Sequence, residues 1–374
     1  HEFAFNNPQL KDRLYINKGQ GNFEISEKFN AVSEPSSFIR TIDYDLDGDL
    51  DILSGSRQVP FAYGIPADLH LYNNENGVFT KIETPVFSEI AMITDGEVGD
   101  IDSDGDQDII IVGEWMTIKV FINEEGQFFD KTKDFKLSET SGLWHHIELV
   151  DLNADGKLDI IGGNHGLNTR LKASNEKPLR MYVNDFDQNR SIEQIITQYE
   201  GEDAYPIVML PDLIKQLPGL KKKYVKHEAY KIQTIQDIFD EEVLSKSVVH
   251  EVSMLASAYF IQTEDGFELK EFPFEAQISQ VFASFSEDVN QDGLIDILIA
   301  GNQKRVKPEL GSNNASYGLV LIGEQSGNFK PLSIENSGIL VSNETRAIKK
   351  LLIGEKEVFL FIRNNEKSLA FELK

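Results

Sequence analysis

Cysteine is absent from all 374 residues, which excludes disulfides, thiolate metal sites and a cysteine nucleophile and leaves the redox compartment open. No run of about 18 apolar residues occurs, so no segment reads as a membrane-spanning helix. A G-x-S-x-G elbow, an HExxH pair and a phosphate-cradling glycine loop are also missing, and with them the usual signatures of hydrolase, zinc-protease and nucleotide chemistry. Positive charge is scarce: 36 Lys and Arg stand against 62 Asp and Glu, and the resulting formal charge of −26 repels nucleic-acid phosphates and anionic membranes. The chain opens at His1 without a charged and apolar leader, so upstream sequence, with a lipid anchor as one form of it, is expected.

What is present is ample for a core: 40% hydrophobic residues, among them 24 Phe. One closed β-architecture can absorb this length. Self-similarity organises the chain. DYDLDGDLD at 43–51, DIDSDGDQD at 100–108, DLNADGKLD at 151–159, DFDQNRSIE at 185–193 and DVNQDGLID at 288–296 are five versions of one segment, with starts 57, 51, 34 and 103 residues apart. Short apolar stretches flank each one, reading as strand, acidic loop, strand. Hairpin signals such as LHLYNNENGVFTKI and IKVFINEEGQFFDKT follow, giving about four strands per repeat.

Repeats of roughly 50 residues, each one four-stranded sheet, predict an all-β propeller. Six inner strands are counted, before Asp43, Asp100, Asp151, Asp185 and Asp288 and near Ala347, and RLYINKGQGNFEIS at 13–26 reads as the outer hairpin of one more blade. Seven blades are expected, six being the alternative, in a single domain over 1–374 whose N-terminal blade is incomplete. Residues 206–246 have a helical texture, with Thr234 and Asp237 spaced as a capping box, and are read as an insertion within a blade.

In D-x-D-x-D-G-x-x-D, side-chain oxygens at positions 1, 3, 5 and 9 converge with the backbone carbonyl of position 7, while glycine at position 6 permits the turn. Hard oxygen ligands in that number suit calcium. The candidate ligands are Asp43, Asp45, Asp47, Asp49 and Asp51; Asp100, Asp102, Asp104, Asp106 and Asp108; Asp151, Asn153, Asp155, Lys157 and Asp159; Asp185, Asp187, Asn189, Ser191 and Glu193; and Asp288, Asn290, Asp292, Leu294 and Asp296. Four to five calcium ions are expected, in a structural role. The fourth loop has Arg190 where glycine is called for, so its turn is expected to differ. An EF-hand is excluded because the flanks are strands and the loop is too short. Weak sites of this kind fill at the millimolar calcium found outside cells, which favours an extracellular or outer-membrane surface location.

Alternating strand direction sends the acidic loops to one face and the start of strand one and end of strand two to the other. That second face is expected to collect Arg57, Glu114, Trp115, Trp144, His145, His165 and Asn302, a set suited to recognising a protein or a glycan. His145 and His146 are adjacent and point to opposite sides of a strand, so they do not chelate together.

The loops and the hairpins LYINKGQGNF, LYNNENGVF and VLIGEQSGNF resemble FG-GAP, or VCBS-type, repeats, found also in the integrin α-subunit head. GEWM at 113–116, GLNTRLKAS at 166–174 and the insertion look like the surface proteins of Bacteroidetes that carry ASPIC/UnbV domains, with cartilage acidic protein a distant relative. This resemblance implies a seven-bladed propeller and carries over the calcium ligands but no catalytic residues. The expected function is a non-enzymatic binding or scaffold module of a cell-envelope assembly, with a polysaccharide lyase and a calcium-dependent adhesion module as alternatives.

Overall fold

A computed structural model describes residues 7–306, 311–354 and 356–372. The alternating apolar stretches become a hairpin, β1 (Tyr15–Asn17) and β2 (Phe23–Ile25), followed by antiparallel meanders. The first holds β3 (Ser36–Ile42), β4 (Asp51–Ser56), β5 (Leu69–Glu75) and β6 (Val78–Ile82). The second holds β7 (Met92–Gly99), β8 (Asp108–Met116), β9 (Lys119–Glu124) and β10 (Gln127–Asp130), with the short β11 (Gly142–Leu143) added to β8.

The third sheet starts with β12 (His146–Val150) and β13 (Asp159–Gly163), and the chain then leaves it. It builds a separate sheet from β14 (Leu179–Asn184), β15 (Glu193–Glu200) and β16 (Asp203–Pro206). Five short helices follow, α1 (Leu210–Gln216), α2 (Leu220–Lys223), α3 (His227–Tyr230), α4 (Ile235–Ile238) and α5 (Glu241–Leu244), before β17 (Val248–Val252) completes that separate sheet. Only then do β18 (Ala258–Thr263) and β19 (Gly266–Glu271) complete the third sheet. The fourth is β20 (Val281–Glu287), β21 (Asp296–Gly301), β22 (Leu319–Gly323) and β23 (Phe329–Leu332); after α6 (Ile334–Ser337), the fifth is β24 (Thr345–Ile353), β25 (Lys356–Arg363) and β26 (Leu369–Phe371).

Apolar residues on both faces of the second strands explain why the sheets stack. Phe38, Ile42 and Leu53 meet Ile109 and Ile111 of the second sheet, whose other face gives Ile110 and Val112 to Trp144, Ile147 and Phe260 of the third. Ile161 and Tyr259 of the third then meet Ile297 and Leu321 of the fourth, and Ala283 and Leu298 meet Ile348 and Phe361 of the fifth. Every residue of β8 is buried, as a strand covered on both faces requires.

The first strands stand side by side in the order β3, β7, β12, β20, β24. Polar pairs join them: Arg40 donates to Asp95 (2.9 Å) and Glu97 (2.8 Å), His146 bridges Asp95 (2.9 Å) and Ser284 (2.9 Å), Ser286 donates to Glu148, and Lys350 donates to Glu287. No comparable packing joins β24 back to β3 among the described residues.

The described residues form the expected all-β architecture, with five stacked sheets and the two-stranded hairpin β1–β2. One sequence expectation is corrected here: the strand before Asp185 is not an inner strand. It is β14, in the sheet inserted between β13 and β18, and the short 34-residue interval marks the start of that insertion, which spans 164–257 and includes the helices. The helical segment has its own core of Phe186, Leu210, Leu213, Tyr224, Tyr230 and Ile238. The capping box forms as its spacing predicts, with Thr234 N–H donating to Asp237 at 2.9 Å ahead of α4.

A register shift recurs near the start of four first strands, at Ser37, Thr94, Phe282 and Arg346. Such bulges re-aim one side chain at the rim of a sheet. On the second strand of the fourth sheet, Gly301 leaves no room for a side chain, since a Cβ there would lie 1.8 Å from the Gln280 carbonyl oxygen. Gly301→Ala is therefore expected to cost about 1–3 kcal/mol in urea unfolding, and unchanged stability would contradict this packing.

Candidate functional site

The five acidic loops share one backbone. Positions 4 and 6 adopt positive φ in each: Leu46 and Gly48 (57° and 91°), Ser103 and Gly105 (64° and 101°), Ala154 and Gly156 (59° and 87°), Gln188 and Arg190 (60° and 72°), Gln291 and Gly293 (62° and 89°). In four loops the position 6 N–H donates to the first aspartate: Gly105 to Asp100 (3.1 Å), Gly156 to Asp151 (2.8 Å), Arg190 to Asp185 (2.8 Å) and Gly293 to Asp288 (2.8 Å). The expectation that Arg190 changes the turn is thus corrected. The Asp185 carboxylate anchors the amide, and arginine accepts the left-handed conformation at the ordinary steric cost of about 1–2 kcal/mol.

At position 9 the structure adds a role that sequence reasoning missed. Asp108 accepts from Ile101 N–H (2.7 Å) and from Asn123 N–H on β9 (2.8 Å); Asp159 accepts from Leu152 (2.9 Å) and Gln262 on β18 (2.7 Å). Asp51 and Asp296 repeat the pattern with Tyr44 and Asn74 and with Val289 and Gly323. Each of these buried carboxylates ties its loop to the third strand of its sheet. Burial raises them, to about 6 for Asp51 and Asp159 and about 7 for Asp108, and neighbouring aspartates push the same way.

Ligand atoms of Asp43, Asp45 and Asp51, of Asp100, Asp102 and Asp108, and of Asp185, Asp187 and Glu193 lie within 4.8 Å of one another and could hold a metal ion. Among the described residues, buried oxygens of Asp43, Asp49 and Asp106 have no hydrogen-bond partner, and every ligand atom in these sets is a hard oxygen, so the residues fit a divalent cation. In the third and fifth loops Asn153 and Asn290 donate to Asp155 (3.1 Å) and Asp292 (3.0 Å), lowering the charge of the cluster. Glu34, Asp68 and His70 also converge, unmarked by any motif. There His70 Nε2 meets Glu34 at 3.0 Å while Nδ1 has no partner, so the bond that would orient a metal-bound imidazole is missing and the group reads as a hydrogen-bonded pair.

At the opposite ends of the strands lies a cavity of about 1550 Å³, bordered by all five first strands and by the insertion. Of the residues expected on this face, Arg57, Trp115, His145 and His165 border the cavity. Trp144 and Asn302 do not line it. Trp144 is wholly buried against Phe260, and buried Asn302 is satisfied by Ser279, Ser316, Asn343 and Arg346.

Glu114 is the buried charge of the mouth. It accepts from Arg57 (2.7 Å) and from Tyr63 (2.7 Å), which in turn accepts from the Trp115 indole (3.1 Å). Burial acts to raise its carboxyl, but the Arg57 charge, His145 and the Tyr63 bond outweigh it and hold the group below its ordinary value. Desolvation lowers His145 to about 3 and His165 to about 4. His145 stacks on Phe282 (4.4 Å), and Arg346 covers the other side of that ring at 4.0 Å. Phe282, Arg346, Tyr63 and Gln280 were not singled out by sequence, because a bulge leaves no residue signature and Tyr63 and Gln280 sit in connecting segments.

Residues 100–162, from the second acidic loop to β13, match the family model of the FG-GAP-like repeat. No curated protein matches the chain. Among solved structures, the chain is similar to Saccharomyces cerevisiae Sqt1, with a TM-score of 0.41 and 11% identity over 96% of this chain and 78% of that one. It is also similar to the V. cholerae biofilm matrix protein Bap1, with a TM-score of 0.36 and 9% identity over 95% of this chain and 72% of that one. The match to the FG-GAP-like repeat accords with the repeated β-sheets; the two structural likenesses are too distant to decide the architecture.

Two outcomes test this geometry. Asp108→Ala leaves two buried N–H groups unpaired and should destabilise the protein by about 1–3 kcal/mol per group even in chelator, whereas Asp104→Asn should leave stability in chelator unchanged. A neutral buried histidine stabilises fully above its unfolded value of 6.5 and loses that contribution as pH falls through its lowered folded value. Nitrogen NMR at about pH 5 should therefore find His145 and His165 uncharged. Protonation of both near pH 6.5 would contradict the burial.

Proposed function

We propose that the protein is an extracellular, calcium-stabilised module of β-propeller type that binds a partner at the cavity mouth and carries out no chemistry of its own. In this reading the five stacked sheets are blades of a ring, and β1–β2 is the outer hairpin of another blade. The observation that carries the proposal is the repetition of one loop backbone, with converging oxygens, at the strand ends opposite a large cavity.

Calcium is favoured over magnesium because each loop offers several carboxylate or amide oxygens and a backbone carbonyl rather than one or two carboxylates. The ions would act as structural ties: the folded loops present the ligand set and the unfolded chain does not, so binding stabilises by mass action, about 1.4 kcal/mol per site at ten times the dissociation constant. Loops of this kind with millimolar affinity would fill outside cells and stay largely empty inside them, which supports the extracellular reading.

A lyase would need a base beside a bound calcium on the cavity face. Strands of five to nine residues put the loops roughly 20 Å from the mouth, and His145 and His165 are poor bases as buried, neutral imidazoles.

Thermal unfolding with calcium and with chelator tests the reading. Calcium is expected to raise the midpoint by several degrees at millimolar concentration, with magnesium weaker. Ion binding needs ionised carboxylates, and burial raises Asp51 and Asp159 to about 6 and Asp108 to about 7 in the ion-free fold. The calcium increment should thus be complete above about pH 7 and fall away between pH 7 and 4. A midpoint indifferent to calcium at pH 7.5 would refute the proposal.

A further inference from the structure

The cavity mouth carries two buried acceptors that none of the described residues satisfies. His145 Nε2 has no hydrogen-bond partner, on a side chain with 9% of its surface exposed. Gln280 Oε1 likewise has none, on a residue 5% exposed. Their roles as acceptors follow from their neighbours. The other nitrogen of His145, Nδ1, lies 3.9 Å from the ionised Glu114 carboxylate, which draws the single ring proton to that side and leaves a lone pair on Nε2. Gln280 directs its amide Nε2 at His165 Nδ1 (2.8 Å), so its carbonyl oxygen is turned away.

The mouth is also built to hold these groups still. His145, just before β12, stacks on Phe282 of β20, and the Arg346 guanidinium of β24 lies over the same Phe282 ring, fixing the imidazole. Trp115 holds a φ of 62°, rare for a bulky side chain and a form of strain that collects at binding sites.

The arginines nearest these acceptors are engaged within the chain: Arg57 by Glu114, and Arg346 by the Asn302 and Thr345 carbonyls and by Gln303. A ligand that answers this mouth therefore supplies protons rather than negative charge. Both acceptors are neutral and are matched by neutral hydroxyl donors. Because neither acceptor is open to solvent at rest, a small movement of mouth side chains accompanies binding.

We propose that the cavity mouth binds a neutral, polyhydroxylated saccharide, whose hydroxyl groups donate to His145 Nε2 and Gln280 Oε1. This rests on the reading of the chain as a binding module and names the class of ligand for it. A cavity of about 1550 Å³ accommodates several sugar rings.

The test uses the whole chain in millimolar calcium with cellotetraose, maltotetraose and mannotetraose as neutral probes and tetragalacturonate as the acidic one. Binding is read by calorimetry and by tryptophan fluorescence, to which Trp115 at the mouth and buried Trp144 both contribute. At least one neutral tetrasaccharide should bind, and His145→Phe, which keeps the stack and removes the acceptor, should weaken it about tenfold or more. In the unmodified protein the His145 Nε2 resonance should shift on saturation, a readout independent of how the variant folds. Binding of tetragalacturonate alone, an unmoved Nε2 resonance, or no saccharide binding would overturn the ligand class and leave the calcium-stabilised module standing. Cleavage of any probe would instead overturn the non-catalytic reading.

Discussion

A buried carboxylate at the start of the second strand in four of the five stacked sheets is the constraint on which those sheets depend. Asp51, Asp108, Asp159 and Asp296 each take one N–H from their own acidic loop and one from the third strand. A single side chain thus fixes where the loop ends and where the next hairpin begins. Burial raises these carboxylates and makes ionisation costly, and a divalent cation in the loop would offset that cost. Fold and candidate ion site are one arrangement seen from two sides.

The other strand ends obey a different logic. There buried Glu114 is paired with Arg57, and the chain departs from regular strand geometry through bulges at Ser37, Thr94, Phe282 and Arg346. The regular end carries the repeated motif; the irregular end carries the cavity. The insertion between β13 and β18 reinforces this division, since its sheet packs Leu179, Met181 and Val183 against Met92, Trp115 and Leu143 and walls the cavity on one side.

Much of this was legible in the residues. Aspartate, asparagine and glycine at fixed offsets announce a loop whose conformation hardly varies, and alternating apolar runs beside them announce strands. Arg190 misled because a glycine preference is a matter of about 1–2 kcal/mol, which two amide bonds to Asp185 offset, at 2.8 Å from Arg190 and 2.9 Å from Asn189. The Asp185 loop misled further: local pattern specifies strand, loop, strand, but only long-range pairing decides whether those strands join a stacked sheet or an insertion. The mouth was partly visible in Arg57, Trp115, His145 and His165. Phe282 and Arg346 were hidden because a bulge depends on the partner strand, and Trp144 looked available where the packing of two sheets consumes it.

The central claim is that the acidic loops grip divalent ions. Anomalous X-ray scattering from crystals grown in calcium tests it most directly. The account predicts separate peaks inside the loops at 43–51, 100–108, 151–159 and 288–296, with a fifth at 185–193 when that loop fills. Ordered loops without a peak at ample calcium would contradict it.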